Sequence, residues 1–112
     1  MIAATKSSSG NARAVSRSAT SRAAGGALYL LYMNDDQRNE LIRDPSLIPD
    51  AIEECLRLDA PVQWMYRRAT RDAELGGAAI PARASLIVYY GAANRDPDAF
   101  PDPDRFDVDR ET

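Results

Sequence analysis

Two prolines, Pro49 and Pro61, bracket the stretch Pro49-Asp-Ala-Ile-Glu-Glu-Cys-Leu-Arg-Leu-Asp59 and mark it as a helix. Proline is accepted in a first helical turn, where its missing N–H has no partner to lose, and Asp50, Glu53 and Glu54 suit the positive end of the helix dipole. The helix is expected to stop before Pro61. Residues three apart on a helix are neighbours, so Glu54 and Arg57 are expected to pair one turn apart. Ile48, Ile52, Cys55 and Leu56 fall at helical spacing and predict one apolar stripe, with Cys55 facing a core as a small buried hydrophobe.

A chain of 112 residues suffices for one small domain but not for a large shell around a cofactor. The net charge of −3, with no basic patch beyond residue 25, argues against nucleic acid as a partner. With no histidine and one cysteine, Ser-His-Asp and Cys-His nucleophile systems, histidine-ligated metals, an internal disulfide and multi-cysteine metal sites are excluded. The longest apolar run, Ala27 to Met33, falls far short of the roughly 20 residues that span a bilayer. No membrane segment is expected, and the chain is expected to be soluble and cytoplasmic.

Every acid lies at Asp35 or later, so residues 1–24 are rich in Ser, Ala and Arg with almost no large apolar side chains. This composition also suits an organellar transit peptide, but no apolar face is evident, and a disordered or loosely helical segment unrelated to the rest is expected. Order should begin near Gly25-Gly26, and residues 25–112 form the domain proper. Ala27 to Met33 reads as the end of a buried helix, stopped and re-capped by Asn34 and Asp35. Gln37 to Arg43 predicts a short helix with Leu41 and Ile42 inward, closed by Asp44-Pro45.

After Pro61 the texture changes to strands. Val62 to Thr70 is an extended run, and Gly76-Gly77 within Ala73 to Ile80 predicts a hairpin turn. Pro81 to Ala84 makes a second turn, and Ser85 to Tyr90 lacks polar alternation, so it is expected to be covered on both faces. Asp96-Pro97 reads as a cap and first helical position for one turn through Phe100. The prolines from Pro101 onward prevent regular structure, leaving Arg105 and Phe106 available for docking elsewhere.

The ordered set Glu54-Cys-Leu-Arg57, Arg67-Arg-Ala69, Asp72-Ala-Glu-Leu-Gly-Gly77 with Ile80-Pro-Ala82, Ala93-Asn-Arg-Asp-Pro97 and Phe100-Pro-Asp-Pro-Asp-Arg-Phe-Asp107 resembles the cytochrome P-450 superfamily, the haem-thiolate monooxygenases, and in particular its soluble bacterial members. The resemblance covers Asn34 to Arg110. It implies an α+β piece of a mostly α-helical fold: helix J, helix K, a small β-sheet, a K′ helix and an irregular meander. It implies that Glu54, Arg57 and Arg105 form a buried charge network locking the irregular segment down, with Glu53 as a near neighbour outside the motif. Arg67 matches the position that donates to a haem propionate; adjacent strand residues point to opposite faces, so only one of Arg67 and Arg68 can aim at the cofactor, and its place in the Arg-x-Ala pattern favours Arg67. Val62, Gln63 and Trp64 would lie near the substrate pocket, although the Trp64 ring suits an ordinary core equally well.

Two departures bound this expectation. The family's cysteine loop follows the segment that ends near Arg110, whereas the chain ends at Thr112, and Cys55 sits inside the Glu-x-x-Arg motif on a core face. The oxygen-activating helix should carry its Ala/Gly-Gly-x-acid-Thr pattern near residues 15–19, where the chain reads Val15-Ser-Arg-Ser-Ala19, and Thr20 is one position off. The expected function is therefore that of a partial cytochrome P-450. The parent enzyme would use haem and electrons from a ferredoxin- or flavin-type redox partner to insert one oxygen atom from O₂ into a small organic substrate. This chain alone is not expected to catalyse that reaction. The alternative is a non-catalytic module acting through binding only.

Overall fold

The computed structural model describes residues 9–110, with side chains described from residue 18. Of the disordered or loosely helical segment expected over residues 1–24, the first eight lie outside the described residues and the backbone from Ser9 is helical; the side chains of Val15, Ser16 and Arg17 also lie outside the described residues. Two compact units form: one takes the described residues up to Pro61 together with those from Arg105, the other takes Val62–Asp104.

The first unit is helical, with α1 (Ser9–Met33), α2 (Asp35–Arg43), a 3₁₀ turn (Pro45–Leu47) and α3 (Ile48–Leu58). Helix α1 runs through the composition change at Gly25-Gly26, where order was expected to begin. Alanine and arginine are good helix formers, and the loss of roughly 1 kcal/mol at each mid-helix glycine is offset by packing of Ala27, Leu30 and Leu31 on the core. Gly26 has a further reason to be small. A Cβ there would run into the carboxylate of Asp59, just beyond α3.

Asn34 stands at the start of α2, but its side chain serves the preceding helix: Asn34 Nδ2 donates to Leu30 O at 2.8 Å. Arg38 Nη1 donates to Leu31 O at 3.0 Å, so carbonyls in the last turn of α1 take side-chain donors from the residues that follow it. At the other end of α2 the Asp44 carboxylate accepts from Ser46 N (3.0 Å) and Ser46 Oγ (2.6 Å), which caps the 3₁₀ turn and lowers the Asp44 pKa. Helix α2 turns Gln37 and Leu41 inward. Ile42, expected inward, is 70% exposed, because a step of one residue carries it about 100° round the helix.

The apolar stripe predicted on α3 is also corrected. Ile48 and Ile52 are 45% and 51% exposed, whereas Ala51, Glu54, Cys55 and Arg57 are buried. The inner face is selected by the charge pair, and Ala51, Cys55 and Leu58 share it at helical spacing. Cys55 does face the core, which consists of Ala51, Cys55, Phe106 and Val108 with Ala27, Leu30, Leu31, Leu41 and Leu58 packed around them.

The second unit contains β1 (Trp64–Arg68), β2 (Ala73–Leu75), β3 (Ala78–Ile80), β4 (Ser85–Tyr89) and the single-turn α4 (Tyr90–Ala93). Strands β1 and β4 pair antiparallel with Arg67 opposite Leu86, and β2 and β3 form the expected hairpin. Gly76 (φ 56°) and Gly77 (φ 78°) supply the positive dihedrals that a tight hairpin turn requires. The second turn closes through Ala84 N–H to Pro81 O at 3.1 Å, and Asp72 Oδ1 accepts from Ala82 N at 2.7 Å. The expectation that β4 is covered on both faces does not hold within this chain. Among the described residues it pairs with β1 alone, and Ile87, Val88 and Tyr89 are exposed.

Asp96 caps the single turn expected through Phe100, its carbonyl accepting from Phe100 N (2.8 Å) and its side chain from Asp98 N (3.0 Å), although the turn does not extend into a regular helix. An Arg95–Asp104 ion pair ties this loop together. Among the described residues no helix is long and apolar enough to cross a membrane.

Candidate functional site

Glu54 is the centre of a charge cluster in the first unit. Its side chain is fully buried, and Arg57 meets it as a fork: Nε to Oε2 at 2.6 Å and Nη2 to Oε1 at 2.9 Å. The helix supplies this pair at no topological cost, since the two residues are one turn apart. The carboxylate then reaches the irregular segment. Oε1 accepts from the Asp107 backbone N–H at 3.1 Å and from Arg110 Nε at 3.2 Å.

Arg105, expected as the third side chain of the cluster, is not in it. Its side chain is 63% exposed and its guanidinium comes only to 4.0 Å from Asp107. Arg105 contributes its backbone carbonyl instead, which accepts from Arg57 Nη2 (3.3 Å) and Arg110 Nη2 (3.2 Å). The reason lies in the alternation of the segment. Phe106 and Val108 point into the core, so Arg105 and Asp107 face away from it; the turn closed by Arg110 N–H to Asp107 O (3.1 Å) returns Arg110 to Glu54. Both the Glu54 carboxylate and the Arg105 carbonyl thus accept from the Arg57 and Arg110 guanidiniums. Among the described residues no buried side-chain nitrogen or oxygen lacks a partner, the condition under which a buried charge is tolerable.

A second pin escaped the sequence reading. Gln37 is buried on α2, and its Oε1 accepts from Val108 N at 2.8 Å. A buried glutamine seven positions after Leu30 carries no motif, and only its place at helical spacing from Leu41 marks the inward face.

Arg67 and Arg68 point to opposite sides of β1, as strand geometry requires. Arg68 Nε donates to Arg83 O at 3.2 Å, so it serves the second turn. Arg67 is exposed; its Nη1 donates to Tyr66 O at 3.0 Å and its Nη2 lies 3.4 Å from Tyr90 Oη. It has no carboxylate partner among the described residues, which leaves a positive fork available to an anion. Val62 and Trp64 are exposed, Trp64 stacking edge-on against Tyr66 with ring centroids 5.0 Å apart, so the Trp64 ring is not core within this chain. Gln63 is exposed too, its carbonyl accepting from Gly91 N at 3.1 Å. Thr20 lies exposed on α1.

Cys55 is placed against any role on iron. It is buried in the core, and burial, reinforced by the Glu54 charge, pushes its thiol up from 9.0 to about 11. It is a protonated packing group at neutral pH. Among the described residues no cluster of acidic or sulfur side chains is arranged to hold a metal ion.

Comparison with known proteins bears on the same residues. The chain is 50% identical over 88 residues to 6-deoxyerythronolide B hydroxylase of Saccharopolyspora erythraea, covering 79% of this chain and 22% of that protein. It is 47% identical over 87 residues to cytochrome P450 130 of Mycobacterium tuberculosis, covering 77% of this chain and 22% of the relative. In structure it is similar to cytochrome P450-153 from Novosphingobium aromaticivorans, with a TM-score of 0.78 and 43% identity over 83% of this chain and 24% of the other. The chain therefore spans about a fifth of the length of the curated relatives it matches. The family profile of cytochrome P450 matches residues 35–110, from the first residue of α2 to the arginine that closes the Glu54 cluster, and the chain belongs to that family.

Proposed function

We propose that this chain is the part of a haem-dependent monooxygenase that anchors the irregular segment and presents an arginine to a haem propionate. The whole enzyme would act in the cytoplasm, draw electrons from a ferredoxin- or flavin-type redox partner and insert one oxygen atom from O₂ into an organic substrate. The observation that carries the haem reading is the Arg67 fork, exposed and without a carboxylate partner among the described residues.

The residues present fit one part of the cofactor and not another. Arg67 suits a propionate, since a planar, permanently charged guanidinium meets a carboxylate with two parallel bonds. Cys55 does not suit the iron, because its thiol is enclosed between α3 and the Phe106–Val108 segment and holds its proton. Bound haem would supply the iron chemistry on O₂; this chain's own work is to bind, orient and support. In the same reading Val62, Gln63 and Trp64 line the approach of the substrate. The Glu54 cluster, with Arg57 and Arg110, keeps the segment 105–110 fixed.

The burial of Cys55 also favours a second reading, in which this chain by itself is a binding module without catalysis. One experiment addresses both: haem is added to the purified chain, reduced, exposed to carbon monoxide and examined by absorption spectroscopy. The proposal expects haem binding that Arg67→Gln weakens and no thiolate-type Soret band. Binding indifferent to Arg67 would sink the propionate role, and a thiolate-type band would overturn the exclusion of Cys55.

A further inference from the structure

The neighbours that hold Arg67 are all electrically neutral. Nη1 and Nη2 both lie 3.6 Å from Met65 Sδ, Nη1 donates to Tyr66 O at 3.0 Å, and Nη2 lies 3.4 Å from Tyr90 Oη. The sulfur therefore sits between the two prongs of the guanidinium, the place where a carboxylate makes its paired bonds. Tyr90 completes the group by donating its O–H to the same sulfur at 3.5 Å. The strands dictate this meeting. Met65 and Arg67 are two apart on β1 and share a face, and Tyr90 follows directly on β4, whose last residue, Tyr89, is opposite Trp64.

A thioether is a weak acceptor, so a guanidinium fork and a phenol O–H converging on one sulfur are donors whose capacity is under-used. A carboxylate at that point would receive charge-assisted bonds roughly twice as strong as neutral ones. We infer that Tyr90 is a second anion-binding residue beside Arg67, and that Met65 Sδ is a neutral placeholder which an incoming carboxylate displaces, its two oxygens meeting the Arg67 fork and one of them also accepting from the Tyr90 O–H. The inference rests on the propionate reading of Arg67 and extends it. Tyr90 selects for a carboxylate over its neutral ester, and Met65 keeps the fork aimed without neutralising its charge.

The full chain is titrated with iron protoporphyrin IX and, in parallel, with its dimethyl ester, following Soret absorbance and quenching of Trp64. The free acid is expected to bind more tightly than the diester, and Tyr90→Phe to weaken the free acid by about five- to tenfold while leaving the diester unchanged. Met65→Leu is expected to hold or raise affinity for the free acid, because no sulfur contact then has to be given up. Arg67→Gln checks the underlying reading separately. If Arg67→Gln weakens binding and Tyr90→Phe does not, the role of Tyr90 is overturned and that of Arg67 stands. If the acid binds no better than the diester, or neither substitution matters, both are overturned. A loss in Met65→Leu equal to that in Tyr90→Phe overturns the placeholder role of the sulfur.

Discussion

Replacing Glu54 with glutamine keeps the shape of the side chain and removes its charge. Oε1 is the busier oxygen, accepting from Arg57 Nη2, Asp107 N and Arg110 Nε, so the amide oxygen would settle there. The new NH₂ would then take the Oε2 position and face Arg57 Nε, which now donates across 2.6 Å. Two donors would meet where a donor met an acceptor, and two guanidiniums would lose their counter-charge in a site where Glu54 is fully buried. Removing one member of such a buried pair costs roughly 3–5 kcal/mol. Whole domains are stable by only about 5–15 kcal/mol, so a large share of the folded state is at stake. In urea, with a slope of about 1–2 kcal/mol/M, a loss of roughly 3–5 kcal/mol should lower the midpoint by about 1.5–5 M. Far-UV circular dichroism reports the transition, since α1, α2 and α3 supply most of the helix. A loss below about 1 kcal/mol at an unchanged slope would show that the carboxylate is not what holds the segment down.

Gln37→Leu leaves the buried Val108 N–H without its acceptor and should cost about 1–3 kcal/mol, read as a lower melting temperature together with faster amide exchange at Val108. Gly77→Ala places a Cβ at φ 78° and should cost the β2–β3 hairpin about 1–2 kcal/mol, seen as faster amide exchange from Ala78 to Ile80. Cys55 holds its proton more tightly folded than unfolded, so its contribution to stability is full below pH 9.0 and is lost as pH rises through about 11. A Cys55→Ala protein should lack that part of the alkaline decline, and the native thiol should react slowly with iodoacetamide at neutral pH; rapid alkylation would contradict its burial.

Punctuation residues made much of the fold legible in advance. Pro49 and Pro61 framed α3, Asp44-Pro45 ended α2, Gly76-Gly77 turned the hairpin, and each acts through its own backbone, so no tertiary knowledge was needed. Facing was harder. Ile48, Ile52 and Ile42 are apolar at helical spacing and yet exposed, because the inner side of α3 follows Glu54 and Arg57, and that of α2 follows Gln37 and Leu41. Likewise β4 reads as a strand covered on both faces, but Ile87, Val88 and Tyr89 are exposed. Arg105 was chosen for its place in a motif. The signal that could have found Arg110 is the alternation of Phe106 and Val108, which turns Arg105 outward. The grouping of Met65, Arg67 and Tyr90 needed the β1–β4 register, which no local pattern contains.

Which arginine completes the Glu54 cluster is settled most directly by two double-mutant cycles in urea unfolding, Glu54→Ala with Arg110→Ala and Glu54→Ala with Arg105→Ala. Alanine at position 105 keeps the carbonyl that Arg57 and Arg110 share and removes only an exposed side chain. The Glu54–Arg110 cycle should give a coupling above about 1 kcal/mol and the Glu54–Arg105 cycle one within about 0.5 kcal/mol of zero. A strong coupling to Arg105 with none to Arg110 would contradict the arrangement described.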